Sequence, residues 1–104
     1  MPTLKLEKPI TIKVKENGQT VDKELTEINF DFNSLTGKDI LKAERTTKIL
    51  NPRITIVNAD LGFLGQVAAI AGKVPFYELE KLPGNQYAKI TAWGLNYLNG
   101  LAVD

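Results

Sequence analysis

A chain of 104 residues is the size of one domain, long enough to bury about two-thirds of the surface its unfolded form exposes. It has neither cysteine nor histidine, and Ser34 is its one serine, so disulfides, thiolate and imidazole metal sites and the usual Ser/His and Cys/His nucleophile pairs are excluded. Thirteen basic against twelve acidic side chains leave a net charge of +1, without the basic excess that neutralising many phosphates requires.

The first element in chain order is a hairpin. "KPITIKVKENGQTVDKELTEINFDF" alternates Ile10, Ile12 and Val14 with Thr11, Lys13 and Lys15, breaks at Asn17-Gly18, and resumes at period two with Ile28, Phe30 and Phe32. This pattern predicts two antiparallel strands from about Lys8 to Phe32, with one face apolar and the other charged. Leu25 has the opposite parity to Ile28, which predicts a bulge or a strand start between them. The charged run "KVKENGQTVDKE" reads as a solvated hairpin tip.

"LTGKDILKAERTTKIL" follows, with Thr36 as N-cap and Asp39 three residues on, next to the free amides of the first turn. A helix is predicted from Lys38 to Leu50, with Ile40, Ala43, Thr47 and Leu50 on its core stripe and Glu44 and Lys48 as an i, i+4 pair. Asn51-Pro52 ends it, since the residue before a proline is pushed out of the α region. Five residues, Arg53 to Val57, are too few for periodicity to separate a strand from an extended connector.

After Asn58 or Asp60 as cap, "LGFLGQVAAIAG" predicts a helix with no charged residue. Phe63, Val67, Ile70 and Val74 form one stripe, Leu61, Leu64, Ala68 and Ala71 a second beside it, and the remaining side carries only Gly62, Gly65, Gln66, Ala69 and Gly72. A helix lacking a charged face is buried from several directions. Pro75 starts a short turn of helix through about Lys81. After Pro83-Gly84 a last helix is predicted from Asn85 to Gly100, its core face made by Tyr87, Ile90, Gly94, Leu98 and Leu101 and its boundary by Trp93 and Tyr97 at i, i+4. The expected architecture is a single α+β domain over 1–104: a hairpin region over 1–35 and a bundle of three to four helices over 36–104.

The motifs that suggest chemistry fail on their mechanics. "TGKD" lacks the earlier glycine and the following Ser or Thr of a phosphate-binding loop. Glu27 and Asp31 alternate on a solvated strand face, where nothing pushes their pKa values apart as paired acid/base work requires. "GFLG" followed by "AIAG" is not the GxGxxG of a dinucleotide site. No catalytic residue, metal ligand or cofactor is expected.

The order of three short stretches is more specific. "LEKPITIKV" contributes Leu6, Pro9 and Ile10, "KELTEINF" contributes Leu25, Thr26, Glu27 and Ile28, and "SLTGKDIL" contributes Leu35, Thr36, Gly37, Asp39 and Ile40. Together they resemble the first half of the tail assembly chaperones of contractile-tailed, Mu-like bacteriophages and prophages. The resemblance implies a non-enzymatic protein of the host bacterial cytoplasm. Its client would be the long hydrophobic tape measure protein, kept soluble until tail tube subunits polymerise around it. Further candidate partners are the tail tube protein and a second copy of the chain.

For the client surface, the expected residues are Trp93 and Tyr97, as aromatic anchors on the last helix, and Leu64 on the charge-free helix. The alternative from another class is a small helix-turn-helix accessory protein built from helices 38–50 and 60–72. The charge balance opposes it, and no nucleic-acid partner is expected. No membrane partner is expected either, because neither charge-free run reaches the roughly 20 residues that a spanning helix needs and the N-terminus lacks a signal-type apolar run.

Overall fold

The computed structural model describes residues 2–55 and 60–101. Strands β1 (Thr3–Glu16) and β2 (Gln19–Asn29) form an antiparallel hairpin, followed by a 3-10 turn (Phe32–Ser34) and helices α1 (Gly37–Leu50), α2 (Leu61–Gly72), α3 (Phe76–Glu80) and α4 (Gly84–Leu98). The architecture is the expected α+β arrangement of a hairpin and helices. Arg53 lies in a turn and neither Ile54 nor Thr55 is in a strand, while the remainder of the ambiguous Arg53–Val57 stretch and the Asn58 cap candidate lie outside the described residues.

The hairpin turns at Asn17 and Gly18, both with positive φ (51° and 78°), the two-residue geometry whose twist matches that of the flanking strands. It begins earlier than predicted, because Leu4 continues the alternation and pairs with Ile28. It also ends earlier, at Asn29. There the Phe30 amide donates to the Pro2 carbonyl (2.9 Å) and the Asp31 amide to the Ala71 carbonyl (3.1 Å), which carries the chain off the sheet and onto the end of α2.

The register shifts where Leu25 and Ile28 change parity. Lys5 pairs with Glu27 and Ile10 with Leu25, so residues 6–9 of β1 stand opposite the single residue Thr26. The extra residues therefore belong to β1, opposite the strand whose parity announced the irregularity. Pro9 has no amide to give a ladder, which suits it to an unpaired position.

α1 starts on a capping box: the Thr36 side chain accepts from the Asp39 amide (3.4 Å) and the Asp39 carboxylate accepts from the Thr36 amide (2.9 Å). Its inner face holds Ala43 and Thr47, whose hydroxyl donates to the Ala43 carbonyl (2.8 Å). Leu50, assigned to the core stripe, is 66 % exposed. It is the last residue of α1, where the stripe turns out to solvent.

α2 is the hub, touching α1, α3, α4, the 3-10 turn and β2. Asp60 caps it by accepting from the Phe63 amide (2.8 Å), and every residue from Phe63 to Ala69 is buried, with Ala71. The side that carries only glycines, Gln66 and Ala69 is a close-packing side. A Cβ on Gly65 would run into Tyr87 Oη and stand 2.7 Å from Phe76 Cε1, and one on Gly72 would stand 2.9 Å from both Ile28 and Phe30. The left-handed position that ends α2 is therefore taken by Lys73 (φ 55°), with Gly72 one residue too early to supply it.

The core gathers Leu4, Ile28, Phe30, Phe32, Val67, Leu79 and Ile90 around α2. Of the predicted core face of α4, Ile90 and Gly94 are buried, Tyr87 and Leu98 are half-buried, and Leu101 is 58 % exposed. Leu101 lies past the helix end, its amide turned back to the Asn96 carbonyl (2.8 Å), so the helical period no longer places its side chain. Thr91 is buried on the inner side of α4 as well, its hydroxyl donating to the Ala88 carbonyl (2.9 Å).

Candidate partner interface

Four aromatic rings, two from the segment after β2 and two from α4, pack in a cluster. Phe30 and Phe32 leave β2 two residues apart and stack with centroids 6.1 Å apart. Trp93 and Tyr97, one helical turn apart on α4, lie against them: Trp93 on Phe30 at 5.9 Å and tilted by 56°, Tyr97 on Phe32 at 5.9 Å and inclined by 29°. The two phenylalanines are buried, whereas Trp93 and Tyr97 are half-buried. Each outer ring thus has one face or edge in the core and the rest at the surface.

Polar contacts fix both outer rings. Lys89 Nζ stands 5.5 Å from the Trp93 ring centroid, a cation–π contact at the water boundary. The Tyr97 hydroxyl donates to the Leu35 carbonyl (3.4 Å), which ties α4 to the segment ahead of α1. Two aromatic side chains held this way lose little conformational freedom when a partner covers them, and that makes an aromatic anchor efficient.

Leu64, the third expected contact residue, is 2 % exposed. It lies beneath α4 at Gly94, where an added Cβ would sit 3.6 Å from the Leu64 carbonyl and 3.8 Å from its side chain. Its role is to seat α4 on α2. Trp93 and Tyr97 reach the surface one turn apart on α4 and rest on Phe30 and Phe32, whereas Leu64 lies under Gly94 in the core.

Two further surfaces were not singled out in the sequence. One is an open cleft of about 580 Å³ between the β1 bulge and the α3–α4 junction, lined among others by Leu6, Pro9, Ile10, Leu82, Pro83 and Gln86. Gln86 Nε2 donates to the Lys5 carbonyl (3.1 Å), and its Oε1 is buried without a partner among the described residues. Pro9 inside an alternating run was the available signal for that irregular backbone. The other surface is the outer side of α1, where Leu41 and Ile49 are 59 % and 71 % exposed. Their signal was that both fall off the Ile40–Ala43–Thr47 stripe.

No family model, no curated protein and no solved structure matches this chain. The reading of the surface therefore rests on its residues. Among the described residues no group of three or more acidic side chains is arranged to hold a metal ion. Ser34, the only serine, donates to the Asp31 carbonyl (2.9 Å) within its own turn. Among the described residues no helix is long and apolar enough to cross a membrane. The segment joining α1 to α2 covers residues 51–60, longer than the three or four residues that join a helix-turn-helix pair.

The three stretches that carry the resemblance have structural places. Leu6–Ile10 forms the β1 bulge, Leu25–Ile28 faces it across the hairpin, and Leu35–Ile40 holds the capping box and the Tyr97 acceptor. These residues shape the hairpin and the start of α1.

Proposed function

We propose that this chain is a non-enzymatic tail assembly chaperone that binds the apolar stripe of a helical tape measure protein in the host cytoplasm and holds it soluble until the tail tube polymerises. The observation that carries the reading is the Trp93–Tyr97 pair, two preorganised aromatic anchors one helical turn apart on a face that needs no rearrangement to be covered. An amphipathic client helix would lay its apolar residues along α4, with aromatic contacts supplying affinity. The resemblance in the first half of the chain supplies the identity of the client. The absence of histidine and cysteine from the sequence favours binding over chemistry.

Coexpression with a tape measure fragment tests this. The fragment is expected in the soluble fraction with the wild-type chain and in the pellet with Trp93→Ala. Because Trp93 also packs on Phe30, the informative companion is Ala92→Arg, at an exposed position of the same helix, which obstructs the surface without opening the core. Loss of client solubility with Ala92→Arg, at unchanged circular dichroism and elution volume, supports the proposal. A client that stays insoluble with wild type, or stays soluble with both variants, refutes it.

A further inference from the structure

α1 carries a second stripe on the side away from the core. Lys38, Leu41, Lys42, Arg45, Lys48 and Ile49 recur at the i, i+3, i+4, i+7 spacing of one helical face, and all six are exposed. The face holds four cations, two large apolar side chains and no carboxylate. Of the acidic residues of α1, Asp39 is engaged in the capping box, and Glu44 borders this face one turn before Lys48. Among the described residues only Lys48 of the four cations has a carboxylate within 4.0 Å, that of Glu44.

We propose that this outer face of α1 is a docking surface for an acidic amphipathic helix of another protein. Charge complementarity selects the occupant. Lys38, Lys42 and Arg45 call for carboxylates, and Leu41 and Ile49, eight residues and so about 12 Å apart along the axis, present two apolar knobs separated by two turns. A partner helix meets that spacing with its own apolar seam, and glutamates or aspartates flanking the seam meet the cations, as in the flanking positions of a coiled coil.

A lipid surface fits less well, since interfacial helices present a broad apolar face and the broad apolar face of α1 is turned inward. Nucleic acid fits less well too, because Leu41 and Ile49 would lie against phosphates. The inference goes beyond the chaperone reading and does not depend on it: neither Trp93 nor Tyr97 belongs to this face.

The test uses the whole chain and fluorescence anisotropy at low and moderate salt. The probe is a labelled synthetic helix with leucines at alternating three- and four-residue spacing flanked by glutamates. Its comparison probes are a scrambled peptide of equal composition, a version with lysine for glutamate, phosphatidylglycerol vesicles and random duplex DNA. The acidic amphipathic peptide is expected to bind at least about tenfold more tightly than the scrambled one. Lys42→Glu with Arg45→Glu is expected to weaken it about tenfold or more, and Leu41→Ser with Ile49→Ser by a similar factor, with the melting transition retained in both pairs because all four residues are exposed. Equal binding of the scrambled peptide, indifference to either pair of substitutions, or tighter binding of vesicles or DNA than of the acidic peptide would overturn the proposal. Since no tape measure fragment is used, its failure leaves the coexpression result untouched.

Discussion

The hairpin and α2 solve opposite problems. Along the distal hairpin, charged and apolar residues alternate so that one face rests on neighbours and the other meets water, and Val14 and Val21, paired across the ladder, are both half-buried. α2 has no charged residue and needs none, because α1, α3, α4, the 3-10 turn and β2 surround it. A bare helix is therefore not by itself a surface for a partner. The apolar excess of the C-terminal half is absorbed mostly at home: Leu61, Tyr77 and Leu101 are exposed, and Trp93 and Tyr97 reach the surface half-buried at the edge of α4.

The two regions meet at Phe30, which is 0 % exposed and touches Phe32, Trp93 and the Gly72 end of α2. Truncation there should give the largest loss. Phe30→Ala is expected to cost about 3–5 kcal/mol, read as a lower midpoint in urea. Val21→Ala, on the half-buried distal ladder, should cost no more than about 1 kcal/mol. Equal losses at the two positions would break the contrast between hairpin arm and core.

The next effect belongs to α2 alone. Gly65→Ala places a methyl group against Tyr87 and Phe76, and overpacking of that kind costs about 1–3 kcal/mol. Tyr87→Phe removes the atom nearest to the new methyl, together with the hydroxyl that donates to the Leu61 carbonyl (2.8 Å). The double variant should therefore lose less than the sum of the single ones. Strict additivity would mean that α2 moves away from α4 instead of pressing on the ring.

How much of this was legible in the sequence follows from how local each signal is. The Thr36/Asp39 capping box and the Asn17-Gly18 turn are complete within a few residues, so their chemistry is readable without the fold. Parity at Leu25 and Ile28 announced a register change but could not say which strand carries the extra residues, since that depends on pairing with Leu6–Pro9. The stripes overran at Leu50 and Leu101, where a periodic pattern continues in the sequence after the helix has lost its neighbour or ended. Leu64 was legible as part of a helix buried from several directions, but not as covered by α4, because Gly94 lies thirty positions further on. Leu41 and Ile49 carry no local signal beyond lying off the core stripe, because two apolar residues among cations on the outer side of a helix have the same pattern as an ordinary solvated face.

A smaller effect of the opposite sign comes from the end of α2. Lys73 holds φ 55°, a left-handed conformation that costs an L-residue about 1–2 kcal/mol relative to glycine. It is exposed, so little packing is lost on its removal. Lys73→Gly should raise stability by about 1 kcal/mol, the gain being trimmed by the extra freedom of glycine in the unfolded chain. A lower midpoint would mean that the lysine side chain contributes something its exposure does not suggest.

The smallest expected effect is a pH dependence confined to alkaline solution. Burial first, then the negative charges of Glu80 and Asp60, hold the Tyr87 hydroxyl above its ordinary value near 10.0. Each of these disfavours the phenolate in the folded chain. In the unfolded chain the ring ionises at its ordinary value, so below about pH 10 both states keep the proton and the contribution of Tyr87 is intact. As pH rises past that point the unfolded state loses its proton first, and the contribution falls away until the folded-state value is passed. Other tyrosines and the lysines titrate in the same range, so the informative quantity is the difference between wild type and Tyr87→Phe in urea midpoint from pH 8 to 11. That difference should shrink as pH rises. A constant difference would place the Tyr87 hydroxyl in water, and with it would go the close seating of α4 on the glycine side of α2.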